Sequence, residues 1–199
     1  MKKIRENIGN FDSLKEWSFD LEKLSKRLLS REFADLPFFR HAVLMASLLD
    51  EEFFPNTLIL GKAIKQYDLT WLIKDFSYRL DFVSTDFSSF EEEDLYKGIN
   101  FFQVKDIFSF VSAIKYDLII VIEDYLYFKM KRESYYNLLS KNISSKESRI
   151  IFILINKYNT DLKLDIPDSL IKTFELKFYD RGELKSSDFI IYTKGIVLK

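Results

Sequence analysis

Leu118-Ile119-Ile120-Val121-Ile122 is an unbroken apolar run, four of its five residues β-branched, and it closes on Glu123-Asp124. A strand that alternates apolar and polar residues buries one face. A run without alternation buries both, the arrangement of a parallel strand covered by helices on each side. Arg149 to Ile155 is a second such run. Two such strands in a chain of 199 residues call for an α/β domain with a mostly parallel sheet flanked by helices, large enough to bury a full core.

The stretch from Pro55 to Asp86 gives that domain its opening unit. Thr57-Leu58-Ile59-Leu60 stops at Gly61, and Leu69, Leu72, Ile73, Phe76 and Leu80 then share one helical stripe, so a helix is expected over 69–80. Strand, glycine, helix is the layout of a phosphate loop, Gly-x-x-x-x-Gly-Lys-Ser/Thr, in which backbone N–H groups, a lysine and a hydroxyl hold phosphate and Mg²⁺. The corresponding residues here are Gly61-Lys62-Ala63-Ile64-Lys65-Gln66-Tyr67-Asp68. Gln66 replaces the second glycine, Tyr67 the lysine and Asp68 the hydroxyl, and an aspartate at a helix start caps the helix while repelling phosphate.

Pro55 to Leu80 nevertheless resembles the first strand, phosphate loop and first helix of RecA-like ATPases, in particular the archaeal branch of KaiC-like proteins and RadA paralogues. Phe82-Val83-Ser84-Thr85-Asp86 resembles the second core strand of that family, Asp117 to Asp124 its Walker B strand, and Phe189 to Val197 its terminal strands. The resemblance covers about residues 55–199 and lies in the order of elements. It implies a RecA-like core over 53–199, with a helical extension over 1–52 of the kind that makes subunit contacts. It also places Asn156, at the end of the 149–155 strand, where a γ-phosphate sensor would stand.

Composition excludes several chemistries. The absence of Cys removes disulfides, thiol catalysis and thiolate metal sites, and the single His41 excludes multi-histidine metal centres. His41 reads as a half-buried or surface residue. Thirty basic and 31 acidic residues give a net charge of −1, so no global field draws the chain to nucleic acid or an acidic membrane. Met1-Lys2-Lys3-Ile4-Arg5-Glu6-Asn7 is followed by no apolar segment of signal-peptide type, and a cytoplasmic location is expected.

Residues 1–52 read as two amphipathic helices, one carrying Phe11, Leu14, Trp17, Leu21, Leu24 and Leu28, the other Phe38, Ala42, Met45 and Leu49. Beyond the opening unit, Ser88 to Leu95 reads as a capped helix closed by Gly98, 99–104 as a strand, 106–114 as an amphipathic helix and 125–140 as another. Leu162 to Ile166, Ile171 to Phe178 and Phe189 to Tyr192 alternate, and Asp180-Arg181-Gly182-Glu183 is a hairpin signal, so antiparallel strands are expected at the C-terminal end.

The first functional reading is a non-catalytic RecA-fold protein without cofactor. It would act through protein contacts, by self-association or with a RadA- or KaiC-like ATPase in DNA repair or regulation. A second is a divergent ATP switch, with Lys62 or Lys65 supplying charge, Asp86 as the activating carboxylate and Asp124 holding metal. A third is a single-stranded nucleic-acid contact at Lys129, Lys131 and Arg132, where basic residues interleave with Tyr125, Tyr127, Tyr135 and Tyr136. A flavodoxin-like or nuclease-like domain is a further alternative, although Glu175-Leu176-Lys177, the one segment approaching a nuclease motif, reads as solvent-facing charge on an alternating strand.

Overall fold

A computed structural model describes residues 53–62, 73–88, 98–145 and 147–155 of the chain, and the backbone alone of 171–180 and 183–194. Of Asp75 only the backbone is described. The helical extension over 1–52 with His41, the loop residues Lys65, Gln66, Tyr67 and Asp68, the acidic helix after Ser88, the 162–166 strand and Asn156 lie outside the described residues.

Seven strands form one sheet in the order β3-β2-β1-β4-β5-β7-β6. They are β1 (Phe54–Gly61), β2 (Ser77–Ser84), β3 (Ile99–Gln103), β4 (Leu118–Asp124), β5 (Arg149–Ile155), β6 (Ile171–Asp180) and β7 (Glu183–Lys194). The first five pair in parallel. β7 runs antiparallel to β5, and β6 pairs antiparallel to β7, so the closing hairpin folds back and places its second strand inside its first. The two unalternating runs occupy the centre as β4 and β5, side by side and in register from Leu118↔Arg149 to Asp124↔Ile155.

Burial of both sheet faces follows from those sequences. On one face Leu58, Leu60, Val83, Ile119, Val121, Ile150, Phe152 and Leu154 form a single core with Phe128, Tyr135, Leu138 and Leu139. These last four belong to two helices, α1 (Tyr125–Met130) and α2 (Arg132–Asn142). The alternate residues Ile59, Leu80, Phe82, Leu118, Ile120, Ile122, Ile151 and Ile153 are buried as well. At ~1.5–3 kcal/mol for each fully buried large aliphatic or aromatic side chain, these two layers are the main stabilising term.

Three helix expectations are corrected. The stripe over 69–80 ends early: Ile73 is helical, 74–76 is a single 3-10 turn, and β2 begins at Ser77, so Leu80 is a strand residue. The segment 106–114 holds only a 3-10 turn over Ile107–Ser109, because the chain leaves that turn at Phe110 in extended form and runs along the margin of the core. Buried Asn142 holds it there, accepting from the Ser112 N–H at 3.0 Å and donating to the Phe110 carbonyl at 3.3 Å. The helix over 125–140 is two helices, broken at Lys131. No helix among the described residues is long and apolar enough to cross a membrane.

Candidate functional site

In an open parallel sheet, ligands bind outside the carboxyl ends of the strands where the order reverses. Here the chain leaves β1 toward β2 and β3 on one side, and β4 lies on the other, so the crevice falls between β1 and β4. Gly61 is the last residue of β1, with φ +117°, and a Cβ built on it would lie 2.0 Å from the Ile122 carbonyl oxygen. Only glycine permits that approach. The Lys62 N–H then donates to the same carbonyl at 3.0 Å, pairing β1 and β4 to their tips.

Beyond Ile122, β4 ends in two carboxylates with different duties. Glu123 is 3% exposed and points to the helix-covered face. Its Oε2 accepts the Tyr135 hydroxyl at 2.7 Å, its Oε1 accepts the Asp124 N–H at 2.8 Å, and Lys62 Nζ lies 3.3 Å from Oε1. Burial, with the Glu123 charge beside it, raises the Tyr135 phenol far above its ordinary range, so Tyr135 is a fixed neutral donor. Asp124 caps α1, accepting from the N–H groups of Leu126 and Tyr127 at 3.0 and 3.3 Å.

The end of β2 carries a third carboxylate. Ser84 Oγ donates to the Asp86 carbonyl at 3.0 Å and accepts the Asp86 N–H at 3.2 Å, which fixes the turn. The exposed Asp86 carboxylate accepts the Ser88 N–H at 2.7 Å and the Ser88 hydroxyl at 2.9 Å, and these bonds hold it below the usual carboxylate range. Phe87 packs edge-on against Phe82 and Phe101 beneath that turn. At the end of β3, Asp106 caps the 107–109 turn through the Phe108 N–H at 3.1 Å. The strand ends of β1 to β4 therefore present Gly61, Asp86, Asp106 and Glu123 along one edge.

Of the residues singled out from the sequence, Gly61, Lys62, Asp86 and Asp124 come to this edge. Lys129 and Lys131 are exposed at the α1–α2 break with Arg132 beside them, one short helix away. Glu123 had been read only as a strand-end acid, and Asp106 only as the start of a helix. Tyr135, twelve residues from Glu123 in sequence, belongs in the sequence to the aromatic set interleaved with Lys129, Lys131 and Arg132, with nothing to tie it to Glu123. An acidic residue directly after an apolar strand is the signal that Asp86, Asp106 and Glu123 share.

Comparison with solved structures decides the fold. The chain superposes on N-methyltransferase NodS from Bradyrhizobium japonicum WM9 with a TM-score of 0.54 at 14% identity, over 81% of this chain and 98% of NodS. It also superposes on an rRNA methylase from Streptococcus thermophilus with a TM-score of 0.54 at 9% identity, over 77% of this chain and 95% of the other.

The chain has the Rossmann-like α/β fold that these structures share.

NodS in complex with S-adenosyl-L-homocysteine aligns over 98% of this chain and 97% of its own, with a TM-score of 0.50 at 12% identity. No protein-family model and no curated protein matches the sequence.

The Rossmann-like fold overturns the RecA-like, KaiC and RadA assignment, and with it the degenerate Walker A loop and the Walker B reading of β4. The pseudo-ATPase reading rested on a ruined phosphate loop at Gly61 to Asp68. A fold that has no such loop gives that ruin no weight against catalysis, so the non-catalytic conclusion falls too. The divergent ATP switch built on Lys62, Lys65 and Asp124 and the DNA-repair association with a RecA-like partner fall with the same premise, whereas the nucleic-acid contact at Lys129, Lys131 and Arg132 rests on interleaved basic and aromatic residues and not on that premise.

Proposed function

We propose that the protein is an S-adenosylmethionine-dependent methyltransferase. The observation that carries this reading is the carboxyl edge of the sheet: a switch point at Gly61 beside β4, with the ionised, pre-oriented Asp86 at the end of the neighbouring β2. S-adenosylmethionine carries an electrophilic methyl group on a sulfonium and a ribose with a vicinal diol. The residues fit such a ligand. An acidic residue after the second strand of a Rossmann-like fold accepts ribose hydroxyls. Each Asp86 oxygen uses one lone pair on Ser88 and keeps another for an incoming hydroxyl. Gly61, which has no side chain and no room for one, brings the backbone to the crevice between β1 and β4. The name of NodS, and its complex with the demethylated product S-adenosyl-L-homocysteine, support the same ligand here.

Thermal denaturation in the presence of S-adenosyl-L-homocysteine tests the reading. A ligand at a hundred times its Kd adds about 2.7 kcal/mol. For a chain of this size that raises Tm by about 5–10 °C. Asp86→Ala should weaken binding about ten- to a hundredfold, the loss of hydrogen bonds to a charged group. ATP should produce no shift. Stabilisation by ATP and none by S-adenosyl-L-homocysteine would refute the reading.

A further inference from the structure

Glu123 is a carboxylate almost withdrawn from solvent, at the tip of the central strand and on the crevice, and its surroundings divide into a fixed part and a movable part. The fixed part is the Tyr135 hydroxyl on Oε2 at 2.7 Å and the Asp124 N–H on Oε1 at 2.8 Å. Both donors are built into α2 and the start of α1. The movable part is the Lys62 ammonium, 3.3 Å from Oε1, on a side chain 48% exposed while that of Glu123 is 4% exposed. A primary ammonium on a flexible four-carbon stem therefore already occupies the space in front of Oε1, and the stem is free to carry it into solvent.

We propose that Glu123 is the counter-charge for an alkylammonium group on the methyl acceptor, and that Lys62 holds that place until the acceptor displaces it. This names the acceptor class as a molecule that carries an alkylammonium group and rests on the methyltransferase reading. The chemistry is consistent on three counts. The place in front of Oε1 admits an ammonium, because one is there. A neutral ligand taking it would leave a buried carboxylate without its cation, a costly exchange. An ammonium ligand replaces like with like, and Lys62 regains full hydration when it leaves. Lys62 is thus a competitor inside the site, and Glu123 a specificity-determining residue.

The test uses n-butylamine and its neutral isostere 1-butanol as probes, with binding to the full chain followed by ligand-detected NMR at neutral pH. Lys62→Met removes the competitor and should tighten butylammonium binding about tenfold while leaving butanol unchanged. In the double variant Lys62→Met/Glu123→Gln no buried charge is left unpaired, so the protein should keep its fold and lose the amine preference. Equal binding of amine and alcohol by Lys62→Met, or an amine preference that survives in the double variant, overturns the proposal. Calorimetry with S-adenosyl-L-homocysteine on the same preparations keeps the two readings apart. Binding of S-adenosyl-L-homocysteine without amine discrimination sinks this proposal alone. Amine discrimination without S-adenosyl-L-homocysteine binding upholds the ammonium site and sinks the methyltransferase reading.

Discussion

Asp81 and Glu123 are both buried carboxylates on the helix-covered face of the sheet, each bound by a tyrosine hydroxyl at 2.7 Å and each paired with a half-exposed cation. Their surroundings differ in one respect. Asp81 lies within β2, and its shell is closed by groups from its own strand and its neighbours: Arg79 Nε at 3.0 Å from both oxygens, Asn100 Nδ2 at 2.7 Å and the Tyr116 hydroxyl, itself bonded to Ser112 at 3.1 Å. Glu123 lies at a strand end on the crevice, and its cation is a single lysine from the next strand. The same donors and acceptors make a structural pin where the shell is closed. They make a binding position where one member can leave.

The largest effect separating the two should come from Gly61→Ala. A Cβ 2.0 Å from the Ile122 carbonyl, at a φ of +117°, must push β1 from β4 at the tip, a cost of about 3 kcal/mol or more in urea unfolding. It should abolish S-adenosyl-L-homocysteine binding, while amide exchange around Asp81 stays slow in the variant that still folds. Loss of protection around Asp81 as well would show that the two networks are one unit.

Next in size is Asp81→Ala. It removes the acceptor of the buried Tyr116 hydroxyl, which keeps only Ser112, and unpairs the half-exposed Arg79, for a loss of about 1–3 kcal/mol measured by urea titration. Ligand binding should be unchanged, so a parallel loss of S-adenosyl-L-homocysteine affinity would break the distinction between pin and site.

The strand pattern was legible because β4 and β5 are apolar on both faces, and the hairpin because 171–178 and 189–192 alternate. What failed was local periodicity where a second period was hidden. Leu69, Leu72, Ile73, Phe76 and Leu80 keep helical spacing, yet Leu80, Asp81, Phe82 and Val83 are buried in succession, and the strand that begins at Ser77 shows no alternation there. Ile107, Phe110, Val111 and Ile114 keep the same spacing, but side-chain capture by Asn142, thirty residues on, holds 110–112 extended. The fold family was misread for a related reason. Strand, glycine and helix open both a phosphate-loop core and a Rossmann-like one, and the distinction lies in strand pairing, with β2 beside β1 and β7 reversed between β5 and β6. Of the candidate site, Gly61, Lys62 and Asp86 were visible as strand-end residues. The Glu123–Tyr135 bond, which depends on how α2 packs, was not.

A smaller effect should appear at alkaline pH. Burial raises both Tyr116 and Tyr135 well above the ordinary tyrosine value of 10.0. Groups raised in the folded state stabilise fully below their unfolded pKa, and that contribution is lost as pH rises from 10.0 toward the folded values. Stability should therefore fall with pH above about 10, and Tyr116→Phe and Tyr135→Phe should each flatten the slope. Equal flattening by the two variants would match the hydroxyls having the same 2.7 Å geometry.

The smallest concerns Asp86, whose folded pKa lies below 3.8 because of Ser88. Its stabilising contribution is present above 3.8 and is lost as pH falls through the lower folded value. Ser88→Ala should move the carboxyl resonance midpoint back toward 3.8 in an NMR titration. The variant keeps the Ser88 N–H, the larger cause of the shift, so the return should be partial, and an unchanged midpoint would leave that N–H as the one Ser88 group orienting Asp86.

The central claim is tested most directly by calorimetric titration of S-adenosyl-L-homocysteine into the full chain and into Asp86→Ala. The account predicts one-to-one binding to the unaltered protein, weakened about ten- to a hundredfold by the substitution. Absence of binding to the unaltered protein at millimolar ligand, or equal binding to both proteins, would contradict it.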